Sequence, residues 1–213
     1  MTDMKRFIFI IFSLLLPLFF CGRAEAAENA ILTKVKSANA AVKTIESAFT
    51  QSRTIKAAGR TIKSSGTLYY DVTGKMSMFY DAPSSDLLVI NGTSFYMKRG
   101  GHGSTFDTSK NALMRDLSST LLNCLGGKVQ EVADANNASV CAEEVSGTYL
   151  VTLKARKVAT KGYSRIVLTY RKSDCLLVKM QMDEFGGIST IYSMSGIKTG
   201  SGVSADKFAI PAK

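Results

Sequence analysis

Residues 66–97 constrain the fold more than any other stretch, because three short apolar runs there are separated by turn chemistry. Turns are expected at 72–75, at 83–86 around Pro83, and at Asn91-Gly92. Asn-Gly tolerates positive φ at both central positions, as a type I′ hairpin turn requires. The runs are therefore expected to be consecutive antiparallel strands. Their side chains are long and flexible (Leu68, Met76, Met78, Leu88, Met97) or bulky with a polar tip (Tyr69, Tyr70, Tyr80, Tyr96). A sheet face with that inventory serves either as ordinary core or as the wall of an apolar pocket.

The N-terminus sets the expected compartment. Lys5 and Arg6 precede an apolar run over 7–20, and Ala24-Glu25-Ala26 offers small residues at a cleavage site. The run is short against the ~20 residues of a spanning helix. Residues 1–26 are read as a secretory signal cleaved after Ala26, and 27–213 as one exported domain of 187 of the 213 residues. A rival reading makes Cys21 a lipidated N-terminus, although Phe20 is not the small residue such signals place before the cysteine.

The formal charge is +10; removing Lys5, Arg6, Arg23, Asp3 and Glu25 leaves 24 basic against 15 acidic residues, or +9. For an exported chain that surplus fits anionic headgroups, envelope polymers or an acidic partner rather than nucleic acid, and it also serves plain solubility. Lys154, Arg156, Lys157, Lys161, Arg165, Arg171 and Lys172 concentrate it around two strand ends, as a solvated face or a docking patch. Cys124, Cys141 and Cys175 survive signal removal, so an oxidising compartment permits one disulfide. The nearest pair, Cys124 and Cys141, is the expected bridge.

Residues 27–46 place Ile31, Leu32, Val35, Ala38, Val42 and Ile45 at helical spacing. Strands follow at 48–55, 61–71, 75–82, 86–90 and 93–98, and 98–104 reads as a glycine-rich turn. Residues 111–125 form a second helix with a wide leucine stripe, capped from Asp107, Thr108 or Ser109 and ended by Gly126-Gly127. Residues 128–147 read as strand or irregular. Four strand-length runs complete the chain at 148–155, 164–171, 176–183 and 188–195. Strands do not alternate with helices, so the expectation is an α+β, mainly β fold: a curved antiparallel sheet with helices on one face.

Catalytic constellations are not indicated. His102 is the single histidine and sits between glycines; no Gly-x-Ser-x-Gly elbow or phosphate-binding loop occurs. Glu143 and Glu144, adjacent on a strand, point to opposite faces. Neither an enzyme, a cofactor nor a metal site is expected.

The order of small motifs resembles the periplasmic lipoprotein carriers, the LolA-like proteins. An N-terminal helix runs into Ala48-Phe49-Thr50-Gln51, followed by Gly66-Thr67-Leu68-Tyr69 and Met78-Phe79-Tyr80 before Pro83. Leu87-Leu88-Val89 precedes Asn91-Gly92, and the leucine-rich helix and Phe208-Ala209-Ile210-Pro211 close the series. The resemblance implies an incomplete, strongly curved antiparallel β-barrel covered by helices, with an apolar cavity that takes up acyl chains. It further implies a monomer touching membranes transiently in the periplasm, with an inner-membrane release complex and an outer-membrane acceptor as partners. Each buried CH₂ contributes ~0.8 kcal/mol, so a long acyl chain crossing water needs a dry pocket. The family's best-studied members carry an arginine after the Gly-x-Leu strand that closes the empty cavity; here that region reads Asp71-Val72-Thr73-Gly74.

The expected cavity wall is Met76, Met78, Tyr80 and Leu88 on the first strands, Leu113, Met114, Leu117 and Leu121 on the leucine-rich helix, and Met180 and Met182 on a later strand. The expected activity is non-catalytic carriage of lipoprotein acyl chains. The alternatives are a sensory or regulatory envelope module of the same fold and a carrier of a different lipid.

Overall fold

A computed structural model describes residues 19–200 and 202–211, with side-chain surroundings from residue 25. Most of the expected signal lies outside the described residues. The elements are α1 (Phe19–Ala40), β1 (Thr44–Ile55), β2 (Arg60–Asp71), β3 (Lys75–Tyr80), β4 (Leu87–Asn91), β5 (Ser94–Arg99) and β6 (His102–Asp107). Next come α2 (Ala112–Leu125), α3 (Val129–Ala135), β7 (Ala138–Val145), β8 (Thr148–Ala155), β9 (Tyr163–Arg171), β10 (Leu177–Glu184) and β11 (Ile188–Thr199). A 3-10 turn, Ala205–Phe208, is the last element.

All eleven strands form one antiparallel sheet in the order β6-β5-β4-β3-β2-β1-β11-β10-β9-β8-β7. The chain lays down β1, builds one wing through β6, crosses to the opposite edge on α2 and α3, and returns through β7–β11 to pair with β1. The edges β6 and β7 are not bonded to each other, so the barrel is incomplete.

Strand alternation assigns the faces. One inner-face row runs Tyr70, Met76, Ile90, Phe95, Phe106 and the next Leu68, Met78, Leu88, Met97. On the other wing Met180 aligns with Leu168, Val151 and Ala142, and Met182 with Ile166, Leu153 and Val140. Both wings share one hydrophobic cluster with Val35 of α1, Leu121, Cys124 and Leu125 of α2, and Val129 and Val132 of α3. A flat eleven-stranded sheet could not bring its two wings onto the same helices, so the sheet curves around them. Gly66 is a pinch point: a Cβ there would lie 2.0 Å from the Phe79 carbonyl oxygen and 2.9 Å from the Phe49 ring. The outer face has its own small cover, where the turn carrying Phe208 packs over β3 and β4 and Asn91 Nδ2 donates to the Phe208 carbonyl at 3.1 Å.

Several expectations need correction. The first helix stops at Ala40 rather than 46, where Asn39 Nδ2 donates to the Val35 and Cys175 carbonyls. Ile45 keeps helical spacing but pairs with Tyr70 and Thr199 as a strand residue. The segment 98–104 is a tight hairpin into β6, with Gly100 and Gly101 both at positive φ (56° and 87°). At the Asn91-Gly92 turn only glycine is at positive φ, because Asn91 is still paired and the turn residues are Gly92-Thr93. Asn111, not 107–109, caps α2 by accepting from the Met114 N–H. Residues 129–135 are helical. The expected Cys124–Cys141 bridge is not formed: Cys124, Cys141 and Cys175 are free, Cys124 buried on the sheet side of α2 and Cys141 exposed on the outer face of β7.

Candidate lipid-binding trough

The inner face changes character along its length. On β1, inward residues read Ile45, Ser47, Phe49, Gln51, Arg53, Ile55. On β11 they read Met194, Tyr192, Thr190 in the same direction, and on β10 Met180, Met182, then Glu184. The helix-covered end is apolar and the other end is polar. Turns at 56–59, 81–86, 100–101, 156–162 and 185–187 all lie at the polar end and form its rim.

A cavity of about 380 Å³ opens there, within the ~300–1,000 Å³ of small-molecule sites. Tyr80, Leu88 and Met97 line it with Gln51, Arg53 and Arg99. Behind the lining residue Tyr80 lies a buried aromatic group: Phe49 meets Tyr80 edge-on at 5.0 Å and Tyr192 at 6.3 Å. Burial pushes the Tyr80, Tyr163 and Tyr192 hydroxyls up, so all three stay neutral.

The ten expected wall residues divide. Tyr80 and Leu88 face the cavity. Met76, Met78, Leu121, Met180 and Met182 are almost completely buried in the common core, and Met114 and Leu117 pack partly buried against it. Leu113 is 58% exposed and does not face the sheet. The start of α2 is its least covered part: Ala112, Leu113, Arg115 and Asp116 are exposed, Met114 is half-buried against the core, and full burial starts at Ser118. Sequence reasoning missed Gln51, Arg53 and Arg99, and named Met97 on the sheet face without placing it in the wall. Their parity on β1 and β5 was available, but not that these strands meet at one mouth.

In the segment 71–74, Asp71 accepts from the Thr73 N–H at 2.8 Å and caps the turn between β2 and β3, at the end opposite the mouth. The helices are held by other groups. Tyr170 Oη donates to the Cys124 carbonyl near the C-terminus of α2 at 2.8 Å, with both residues fully buried. Lys34 Nζ donates to Tyr149 Oη at 2.8 Å, which raises the lysine. Lys36 pairs with Glu131 at 2.7 Å and ties α1 to α3.

The basic cluster also divides. Lys154, Arg156, Lys157, Lys161 and Arg165 lie toward the rim; Arg171 and Lys172 lie at the other end, paired with Asp174 and Glu144. Val158, 92% exposed, sits within the basic rim loop. Among the described residues no cluster of His, Cys, Asp or Glu could hold a metal ion, and His102 is exposed on β6.

None of the curated proteins matches this chain. Among solved structures, an uncharacterized conserved protein from Thermus thermophilus is similar with TM-score 0.51 and 10% identity, covering 87% of this chain and 94% of that one. A LolA superfamily protein from Nitrosomonas europaea aligns with TM-score 0.42 and 8% identity over 86% and 97% of the two chains. The Mycobacterium tuberculosis lipoprotein LppX aligns with TM-score 0.45 and 14% identity over 84% and 100%. At these identities the likeness concerns the fold alone. The family model for outer membrane lipoprotein carrier protein LolA matches residues 40–211, so the chain belongs to the LolA family.

Proposed function

We propose that the protein is a periplasmic carrier that shields the acyl chains of lipoproteins between the inner face of the sheet and α2, and moves them from inner to outer membrane without catalysis. The observation that carries this reading is the continuity between an open mouth and an apolar interior. From the cavity, the row Leu88, Met97, Met78, Leu68 leads under the helices with no charged side chain in it. Methionines suit such a path because their unbranched thioethers repack around chains of different length.

In this reading the cavity is the entrance, and an incoming chain displaces α2 to reach the core methionines. The shallow burial at the start of α2 leaves that helix held most firmly at its C-terminal end, by Tyr170. Residues 1–26 act as the export signal, and the basic rim favours transient contact with anionic membrane surfaces. Each methylene moved from water into the interior contributes ~0.8 kcal/mol, so loading requires a release complex that extracts the lipoprotein and unloading an acceptor of higher affinity.

The test is lipid extraction and native mass spectrometry of the protein recovered from the periplasm, with uptake measured from detergent-solubilised lipoprotein. Co-purifying acyl species and stoichiometric uptake support the proposal; absence of both refutes it.

A further inference from the structure

The polar end of the trough holds groups that an acyl chain alone does not use. Arg53 and Arg99 both face the mouth cavity, brought together from β1 and β5, and neither makes an ion pair among the described residues. With Lys98 they set three cations against one carboxylate, Asp86, in the lining. Asp86 is already engaged, accepting the Gly100 N–H at 3.0 Å. Glu184 lies further round, near Tyr163 and Tyr192.

Gln51 is the second observation. It lines the same cavity, is only 8% exposed, and its Oε1 has no hydrogen-bond partner. A buried acceptor left empty is costly, and a ligand donor reaching it would remove that cost. Phe49, Gln51 and Arg53 follow one another on the inner face at steps of two residues, about 7 Å each. From inside outward the trough therefore offers a buried aromatic group behind Tyr80, an empty acceptor, and then a pair of guanidinium groups without an ion-pair partner among the described residues.

We propose that this mouth is a headgroup site for an anionic acyl amphiphile of the acyl-glycerophosphate class. Its phosphate lies between Arg53 and Arg99, its glycerol hydroxyl donates to Gln51 Oε1, and its tail passes Phe49 into the trough. Guanidinium groups suit phosphate because their planar donors bond two oxygens at once. The site rests on the carrier reading for its acyl tail and adds a second class of cargo to it, since a lipoprotein's thioether-linked diacylglycerol carries no charge at this position.

The experiment compares two lipids differing only by the phosphate, 1-palmitoyl lysophosphatidate and 1-monopalmitoylglycerol, displacing a fluorescent monoacylglycerol from the purified protein. Lysophosphatidate is expected to bind at least about tenfold more tightly, and Arg53→Gln/Arg99→Gln to bring the ratio close to one. Arg99→Gln alone, at an exposed rim position, is expected to reduce the ratio about threefold and serves if the double variant misfolds. Inorganic phosphate at matched concentration is expected to leave the reporter bound. Equal affinity for the two lipids, or a ratio unchanged by the substitutions, overturns the headgroup site while leaving the carrier reading intact. Displacement by phosphate alone means a simple anion site and overturns the proposal. Failure of the protein to bind any of the acyl probes overturns both.

Discussion

Cys124 reports directly on whether cargo enters beneath α2. Its side chain is completely buried, and burial pushes the thiol up to about 12 from an ordinary value of 9.0. Thiolate is the reactive form, so at pH 8 the buried state holds about a thousandfold less of it than an exposed cysteine. Exclusion of the reagent slows reaction further, and modification then requires α2 to move off the sheet. Cys141, exposed on β7, reacts freely and is best replaced by serine. In the Cys141→Ser protein, a maleimide followed by mass spectrometry at pH 8 should modify Cys124 at least about a thousandfold more slowly than Cys141 in the unaltered chain. Saturating monopalmitoylglycerol should accelerate Cys124 alone, because the chain lodges where the helix packed. Cys175, buried beside the end of α1 and held below Asn39, is the internal control: if both thiols accelerate together, the protein is unfolding. Rapid labelling of Cys124 without ligand would refute the packing argument. Stoichiometric lipid binding that leaves its rate unchanged would show that acyl chains do not pass under α2.

Gly66→Ala should cost about 1–3 kcal/mol, because the added methyl meets the Phe79 carbonyl oxygen and the Phe49 ring; each kcal/mol lowers Tm by roughly 2–4 °C for a domain of this size, and calorimetry checks it. Met78→Glu should prevent folding, since Met78 is 2% exposed, whereas Leu88→Glu at the half-buried cavity wall should fold by circular dichroism and lose acyl uptake. Burial works against ionisation of Asp183, but hydrogen bonds from Ser189, Gln181 and Arg165 outweigh it and hold its carboxyl low. Its contribution is therefore complete above the ordinary carboxylate pKa of about 3.9 and is lost as pH falls through the lower folded value; in denaturant titrations Asp183→Asn should flatten that acid loss. Because the three cysteines are free, reductant should leave Tm unchanged, where a disulfide would have contributed about 2–4 kcal/mol.

Period-two patterning made most of the sheet legible. Residues 148–155 are a strand with the expected bounds, and the inward set Ile62, Ser64, Gly66, Leu68, Tyr70 follows from alternation alone. The end of α1 was not legible, because Val42 and Ile45 continue the helical spacing; Val42 instead sits in the turn, its N–H donating to the Asn39 carbonyl, and long-range pairing with β2 and β11 decides Ile45. Helix α3 is too short for its buried Val129, Val132 and Ala133 to stand out as a period. For the site, composition marked the methionine and leucine wall, but it could not separate packed core from open cavity. That distinction depends on sheet curvature, which buries Met76 and Met180 together and leaves Leu88 and Met97 at the mouth. The pairing of Arg53 with Arg99 has the same origin, since nothing local links the two residues.

Photo-crosslinking with palmitate carrying a diazirine midway along its chain marks where the acyl chain lies. Adducts are expected on inward-facing residues of β3–β5 and on α2, centred on Met78, Leu88, Met97 and Leu117, with excess unlabelled monopalmitoylglycerol suppressing them. Adducts confined to the outer face, around Val89 and Phe208 or on the exposed side of β7, would contradict that placement.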